Sequence, residues 1–348
     1  MYFELQNDSI DSFCAQRFEP HSFYAAVQSF VELWFSEVPI RQKTSGSTGV
    51  PKEIEIDRAA MRASARMTCA HFGLRRGETA LLCLSVSYIA GKMMIVRALE
   101  SGLRLFLVEP QGNPLAQLDV PIRFAAMIPT QVWAAIQDLD RIDELIIGGA
   151  ATPAPLAAAL QQKRTRCWAT YGMTETLSHV ALRPLNGVNR RALYRGLPGV
   201  RFAQDERGCL VVEASALGIR KWTTNDVVDR VGETEFRWLG RIDNAINSGG
   251  IKVFPERIEE ELSRCFSHRF FIGKEPDPKW GEKLILLVEG SPFSLERSFF
   301  QGMGLMPYEI PKTVYFLPRF VETPSGKIQR AETLRRLVED KIAGCRLK

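Results

Sequence analysis

From about residue 80 to residue 172 the sequence alternates short, unbroken apolar runs with stretches at helical spacing. The runs are ALLCLSVS (80–87), LRLFLV (103–108), RFAAMIP (123–129), ELIIGG (144–149) and RCWATYG (166–172). Between them lie the helical GKMMIVRALESG (91–102), TQVWAAIQDL (130–139) and PAPLAAALQQK (153–163). A strand that is apolar at every position must be buried on both faces, which requires a sheet with helices on both sides. The expected core is therefore a parallel sheet. Ahead of it, residues 20–36 and DRAAMRASARMTCAHFGL (57–74) carry helical spacing, with Asp57 placed as an N-cap.

After about residue 183 the texture changes. GLPGVRFAQDERGCLVVEA and VDRVGETEFRWLG look like antiparallel strands joined by Gly and Asp-Glu-Arg turns. A second change follows GRID (240–243): FPERIEEELSR is a helix with Pro255 in its first turn, KLILLVEG a strand and AETLRRLVEDKI a helix. The expected class is α/β, with a large N-terminal domain (1–243) joining a parallel sheet to an antiparallel β subdomain. A small α+β C-terminal domain (244–348) follows. The 348 residues suit two domains at roughly 150 residues each.

Charge excludes some partners. The net charge is +5, from 45 basic and 40 acidic residues, without runs of like charge, so a nucleic-acid face is not expected. The seven cysteines (Cys14, Cys69, Cys83, Cys167, Cys209, Cys265, Cys345) are irregularly spaced and form no CxxC pair. Neither a zinc knuckle nor a disulfide framework is supported, and a reduced, cytoplasmic protein is expected. MYFELQNDSI lacks the basic start and apolar run of a signal peptide, and no segment approaches eighteen consecutive apolar residues, so no membrane partner is expected.

In open α/β sheets ligands bind beyond the carboxyl ends of the parallel strands. The segments expected there are SYIAGK (87–92), Pro129-Thr130, Gly148-Gly149-Ala150 and YGMTETLSH (171–179). Tyr171 offers a flat face for stacking, Thr174 and Thr176 offer hydroxyls, and Glu175 is a hard oxygen ligand for Mg²⁺ beside phosphates. Taken alone, the same loop is equally a capped turn with a solvated glutamate. KTSGSTGVPKEIEI (43–56) is rich in Gly, Ser and Thr, whose N–H and hydroxyl groups can wrap phosphate oxygens while Lys52 adds charge. It is not the G-x-x-x-x-G-K-[ST] loop, because Glu53 follows Lys52. A linker has similar composition, but linkers do not usually run straight into a strand-like segment with a fixed lysine. Ser47 as a nucleophile lacks a GxSxG elbow.

TSGSTGVPK (44–52) resembles the phosphate-loop signature of the adenylate-forming superfamily, which includes acyl-CoA synthetases, luciferases and peptide-synthetase adenylation domains. Further segments follow in that family's order: YGMTET, TNDVV with Asn225 in place of the usual glycine, GRIDNAINSGGIKVFPERIE and TPSGKIQR. The resemblance runs from about residue 43 to 330. It implies ATP, Mg²⁺ and coenzyme A as reactants and a two-step reaction through an acyl-adenylate. The phosphate loop would comprise Thr44, Ser45, Gly46, Ser47, Thr48, Gly49 and Lys52. Gly148, Gly149, Ala150 and Tyr171, with Gly172, would line the adenine slot. Thr174 and Glu175 would act at the phosphates, Glu175 holding the metal, while Asp226 and Arg241 would bind the ribose. Lys327 would bridge the carboxylate and the α-phosphate. Asp243 would be the hinge of a mobile C-terminal domain that brings the loop of Gly249 and Gly250 to the thioester step.

The phosphate-loop segment begins at residue 44, whereas the family usually carries a long segment ahead of it. The resemblance therefore implies a shortened N-terminal subdomain, and a homodimer is one way to cover the sheet it exposes. YIAGKMM and YGMTETLSHVALR are similar to the compact 2-succinylbenzoate–CoA ligases of menaquinone synthesis. A substrate of that class has two carboxylates. Lys92 is expected to hold the second, at the start of the helix GKMMIVRAL, with Ser87, Tyr88, Thr130, Ser178 and His179 nearby. Two alternatives stand beside this reading: an adenylation domain that loads a carrier-protein thiol, and an inactive nucleotide-binding relative.

Overall fold

The computed structural model describes residues 3–5, 10–43, 53–322, 328–340, 342 and 344–347. The chain begins with β1 (Phe3–Leu5), α1 (Ile10–Cys14) and α2 (Phe23–Phe35). β2 (Ile40–Lys43) and β3 (Glu53–Ile56) form an antiparallel hairpin of their own, with Lys43 opposite Glu53. α3 (Arg58–Phe72) starts at Asp57, whose side chain accepts from the Ala59 N–H at 2.8 Å, as the sequence led one to expect.

The α/β core follows: β4 (Thr79–Leu82), α4 (Ile89–Ser101), β5 (Arg104–Leu107), β6 (Ile122–Met127), α5 (Pro129–Ala134), β7 (Ile142–Ile147), α6 (Ala154–Leu160) and β8 (Arg166–Gly172). The antiparallel part is β9 (His179–Pro184), β10 (Tyr194–Gly196), β11 (Arg201–Gln204), β12 (Cys209–Ala214), β13 (Ile219–Arg230) and β14 (Glu235–Arg241). These strands join one twelve-stranded sheet in the order β1-β5-β4-β6-β7-β8-β9-β10-β14-β13-β12-β11. β5, β4, β6, β7 and β8 are parallel; β1 is antiparallel to β5, and the direction reverses again at β8–β9.

The unbroken apolar runs are explained by burial on both faces. Ala80, Leu82, Leu105, Leu107, Phe124 and Ala126 join a core with Met61 and Ala65 of α3 and Met93 of α4. Their neighbours Leu81, Phe106, Ala125 and Met127 join a second core with Val132 of α5 and Leu156 of α6. Each strand thus serves both layers through its two-residue alternation.

One run is longer than its strand. β4 ends at Leu82, and Cys83–Tyr88 form a loop although Cys83 and Val86 are buried. The loop folds back onto the first turn of α4 because Gly91 has no side chain: a Cβ there would lie 2.4 Å from the Ser85 carbonyl oxygen. α4 accordingly begins at Ile89, two residues before the expected start, and Lys92 falls within its first turn.

A short turn at Ile242–Asn244 leads from β14 to β15 (Ile246–Ser248), β16 (Ile251–Val253), α7 (Pro255–Leu262), β17 (Phe270–Asp277), β18 (Gly281–Glu289), α8 (Ser298–Gln301), β19 (Thr313–Leu317), α9 (Arg330–Glu339) and β20 (Cys345–Arg346). These strands form a six-stranded sheet, β16-β15-β18-β19-β20 with β17 on β18. α7 and α8 pack on one face through Ile258, Leu262 and Phe300, and α9 packs on the other through Leu337. Among the described residues no helix is long and apolar enough to cross a membrane.

Candidate active site

The parallel strands deliver four segments to one edge of the sheet: Cys83–Tyr88 after β4, Ile128–Pro129 after β6, Gly148–Gly149 after β7 and Gly172–Glu175 from the end of β8. The hairpin β2–β3 reaches the same edge through Gln42, whose Nε2 donates to the Ser87 carbonyl at 3.0 Å. Thr44, Ser45, Gly46, Ser47, Thr48, Gly49 and Lys52 lie between β2 and β3, outside the described residues. Lys327 also lies outside them; Glu322 and Ile328, which bracket its segment, pair as a β-bridge.

Gly148 and Gly172 allow close approaches. A Cβ at Gly148 would lie 2.5 Å from Thr170 Oγ1, and one at Gly172 would lie 2.2 Å from the Ser178 carbonyl oxygen. Gly149 and Ala150 are exposed beside them. Thr174 and Glu175 belong to a tight turn over Thr174–Thr176. Thr176 Oγ1 holds that turn, accepting from Met173 N at 2.9 Å and donating to Met173 O or Ser178 O. Leu177 closes it at φ 65° and ψ −36°, a positive-φ conformation that a bulky side chain rarely adopts. The strain falls where β8 turns into β9, beside Glu175. The Glu175 carboxylate is partly exposed and makes no hydrogen bond or ion pair with a described residue. It is free to take an external cation.

Tyr171 is placed differently from a free stacking platform. Its ring is 8% exposed and packs edge-on against Tyr194 and Phe236 at 5.9 and 5.0 Å. Its hydroxyl donates to Asp226 Oδ2 at 2.7 Å, and burial followed by the Asp226 charge pushes the phenol well above its ordinary value of 10.0. Asp226 also accepts from Trp238 Nε1 at 3.2 Å. Asp226 and Arg241 are cross-strand partners on β13 and β14, with Arg241 Nη1 3.9 Å from Asp226 Oδ1. A carboxylate so fixed still has lone pairs for further donors. Asp243 accepts from Arg241 at 3.0 Å and from Asn225 Nδ2 at 3.2 Å, so the residue found where a glycine was expected ties down the turn after β14. Gly249 and Gly250, at φ 62° and 82°, make the two-residue turn between β15 and β16. Trp280 lies against that turn, its Cε3 2.7 Å from where a Gly249 Cβ would be.

The residues expected at the acid divide into two groups. Ser87 and the exposed Tyr88 sit in the loop after β4, and Thr130 is exposed in the first turn of α5. Lys92 Nζ donates to Gln42 Oε1 at 2.7 Å, and burial lowers its pKa. The second group is one chain of hydrogen bonds. Arg97 Nη2 donates to Ser178 Oγ at 2.6 Å, Ser178 Oγ is 3.3 Å from His179 Nδ1, and His179 Nε2 is 3.3 Å from Thr68 Oγ1. Thr68 Oγ1 donates its proton to the Ser64 carbonyl at 3.1 Å. It must therefore accept from His179, which assigns the proton to Nε2 and leaves Nδ1 to accept from Ser178.

Arg97 heads this chain and was not singled out from the sequence. It is 1% exposed, its Nε has no partner, and no described carboxylate pairs with it. Burial lowers its pKa to about 10, so it stays charged near neutrality. An unpaired buried guanidinium is costly, and an anion that enters beside it would relieve the cost. Trp238, Gln42 and Thr68 were also missed; each reads in sequence as an ordinary strand or helix residue.

Burial, then the charges of Arg97 and His71, hold His179 well below its ordinary 6.5. Below pH 6.5 the unfolded chain gains a proton on this residue that the folded chain refuses, so stability is full above 6.5 and falls as pH drops toward the folded value. The slope for one such group is about 1.4 kcal/mol per pH unit. Urea unfolding from pH 7 to pH 5 is expected to show a shallower loss for His179→Gln than for the unmodified protein. Equal slopes would mean that His179 is protonated in the folded state.

A family profile described as AMP-binding enzyme matches residues 42–205. The chain is 26% identical over 340 residues to a 2-succinylbenzoate–CoA ligase of Bacillus cytotoxicus, covering 86% of this chain and 70% of that protein. A solved structure of an acyl-CoA synthetase (AMP-forming)/AMP-acid ligase II-like protein from Dyadobacter fermentans is 36% identical, with 97% of this chain and 100% of that chain aligned and a TM-score of 0.65. An O-succinylbenzoate coenzyme A synthetase of Bacillus subtilis, solved with ATP and a magnesium ion, shares the fold at a TM-score of 0.71 and 18% identity, over 84% of this chain and 69% of that one.

Proposed function

The chain belongs to the AMP-binding enzyme family, and on that premise we propose that it is an ATP-dependent acid–CoA ligase acting on an aromatic dicarboxylate, 2-succinylbenzoate. In the first half-reaction a carboxylate oxygen of the acid attacks the α-phosphorus of ATP. The new O–P bond gives an acyl-adenylate, and the bond to pyrophosphate breaks. In the second, the thiolate of coenzyme A attacks the acyl carbon, a C–S bond forms, and AMP leaves with the C–O bond electrons.

The observation that carries the diacid reading is Arg97. A buried cation without an anionic partner, reached through Ser178 at the site edge, suits a substrate with a second negative charge. His179, neutral and fixed as the Nε2–H tautomer, leaves Ser178 as the group that can turn its hydroxyl from Nδ1 to an incoming carboxylate. The names of the relatives support the same acid. At the nucleotide end, Asp226 would receive the ribose hydroxyls while Tyr171, Trp238 and Arg241 hold it in place. Gly148, Gly149 and Ala150 would leave room for the base.

Glu175 fits a magnesium ion. It is an unpartnered, partly exposed carboxylate, and no described cluster of three His, Cys, Asp or Glu side chains competes for a metal. Mg²⁺ commonly takes one or two protein carboxylates and completes its shell with phosphates and water. When bound, it would neutralise phosphate charge during the attack. Asp243 would be the hinge between residues 1–243 and a lid formed by residues 244–348.

The test is ATP–pyrophosphate exchange in the absence of coenzyme A, over a panel of carboxylic acids. Exchange with 2-succinylbenzoate is expected, and thioester should appear when coenzyme A is added. Exchange with a different acid would remove the substrate but keep the reaction class. Acylation of a carrier protein in preference to coenzyme A would replace the acceptor.

A further inference from the structure

Gly240 is the last residue but one of β14, and it has no side chain at the place where α7 arrives. A Cβ there would lie 2.5 Å from Glu256 Oε2 and 3.1 Å from the Phe254 Cβ. Glu256 stands in the first turn of α7, so its carboxyl is pressed against a strand of the twelve-stranded sheet. Its other oxygen, Oε1, accepts at 2.5 Å from Asn244 Nδ2, in the short turn that follows β14. One carboxyl thus touches the last strand of residues 1–243 and the turn after it, from the helix that opens the next part of the chain.

Glu256 Oε2 is buried and has no hydrogen-bond partner among the described residues. A charged oxygen in that position is costly. Burial, the largest influence, raises this carboxyl above its ordinary 4.5, and the Glu259 charge on the same helix adds to the rise. The Asn244 amide, Arg330 of α9 and the residue's own backbone N–H pull the other way without cancelling it. Arg330 is engaged elsewhere: its Nη1 and Nη2 donate to the two oxygens of Glu259 at 2.8 and 2.6 Å. On the sheet side Arg241 lies between Asp243 at 3.0 Å and Asp226 at 3.9 Å.

We propose that Glu256 is a latch: protonated, it packs against Gly240 and Asn244 and holds residues 244–348 in the orientation seen here; ionised, it favours turning them away so that both oxygens meet water. This rests on the reading of those residues as a lid hinged at Asp243. Opening the latch releases one proton, which goes to water. The sign follows from the two surroundings. Freed, Glu256 has the ordinary value of 4.5; docked, it lies higher. Below about pH 4.5 both orientations carry the proton, and docking is strongest. Above that the freed form loses its proton first, and docking weakens until the pH passes the docked group's own raised value. One proton limits the change to about tenfold in the docked-to-freed ratio per pH unit.

The experiment reads the orientation as a distance between two spin labels. One sits on Cys265, exposed just past α7, and one on Val188→Cys, fully exposed after β9. Cys14 and Cys345, the other thiols that are not buried, are changed to serine. No substrate is added. Two distances are expected, and the fraction at the distance seen here should fall from pH 5 to pH 8. Glu256→Gln keeps the shape but cannot ionise, so its docked fraction should not change with pH. Glu256→Met, of similar length and without charge, serves if the glutamine variant does not fold. Asn244→Ala removes one contact and leaves the carboxyl; it should lower the docked fraction at every pH and keep the pH dependence. A single distance from pH 5 to pH 8 in the labelled protein overturns the latch, as does an uncharged Glu256 variant that retains the full pH dependence. Failure of the ligase reading would show instead as silence in pyrophosphate exchange, with these distances unchanged.

Discussion

Arg97→Met is expected to separate stability from activity. The variant should be as stable as the unmodified protein or more so, while its KM for a dicarboxylate acid rises about 30- to 150-fold. The stability half follows from desolvation. Arg97 is fully buried and has no described anionic partner, so its charge opposes folding. Even buried ion pairs, whose charges offset each other, are often replaced by apolar side chains of similar volume at no cost or with a gain of about 1–4 kcal/mol, and a lone buried charge lacks that offset. Ser178 can still donate to His179 without it, so the remaining chain to Thr68 and Ser64 stays satisfied. The activity half follows from Coulomb attraction. A carboxylate roughly 5–8 Å from the guanidinium, at an effective dielectric of about 20, gains about 2–3 kcal/mol. An acid with one carboxylate spends that group on the α-phosphorus and should be affected less than threefold or so. Urea unfolding and steady-state kinetics with paired mono- and diacids are the measurements. A destabilised variant with equal losses for both acids would show that Arg97 is a structural residue.

Why Arg97 escaped sequence reading is a matter of what a sequence encodes. In IVRALES it occupies a helix with small and apolar neighbours, and an arginine there is usually solvated. Its side-chain partner Ser178 comes from the turn before β9, 81 residues further along the chain. Lys92 shows the converse. The sequence placed it at a helix start near the acid loop, and it is there, but the side chain leans toward the N-terminus, as helical side chains do, and meets Gln42. The sheet was legible because both of its faces are buried, which leaves a pattern in every strand. The loop after β4 was read as strand because Cys83 and Val86 are as apolar as the residues before them. Only the fit of Ser85 against Gly91 distinguishes them. That Asp226 and Arg241 stand together was legible through their motifs. That Tyr171 supports Asp226 with its hydroxyl, and buries its ring against Phe236, was not, since the partners come from β13 and β14.

Lys327→Gln should lower the adenylation rate by about 10²- to 10³-fold, the usual cost of removing a group that stabilises transition-state charge. It should leave the thioester step from supplied acyl-adenylate within about threefold. The carboxylate must approach a polyphosphate, and two unit charges at about 4 Å repel by about 4 kcal/mol at an effective dielectric of 20. A cation aimed at the attacking and α-phosphate oxygens helps only while they come together. In the second half-reaction the nucleophile is a thiolate and the leaving group is already AMP, so the same cation has less to do. The two rates therefore test placement as well as charge. Lys327→Arg keeps the charge but spreads it over a planar fork and should recover only part of the loss. Pyrophosphate exchange reports the first rate, and acyl-CoA formation from acyl-adenylate reports the second. Equal losses in both would assign Lys327 to the folding of its segment between Glu322 and Ile328. No loss in either would move the catalytic charge to another cation, with Lys52 of the phosphate segment the first to examine.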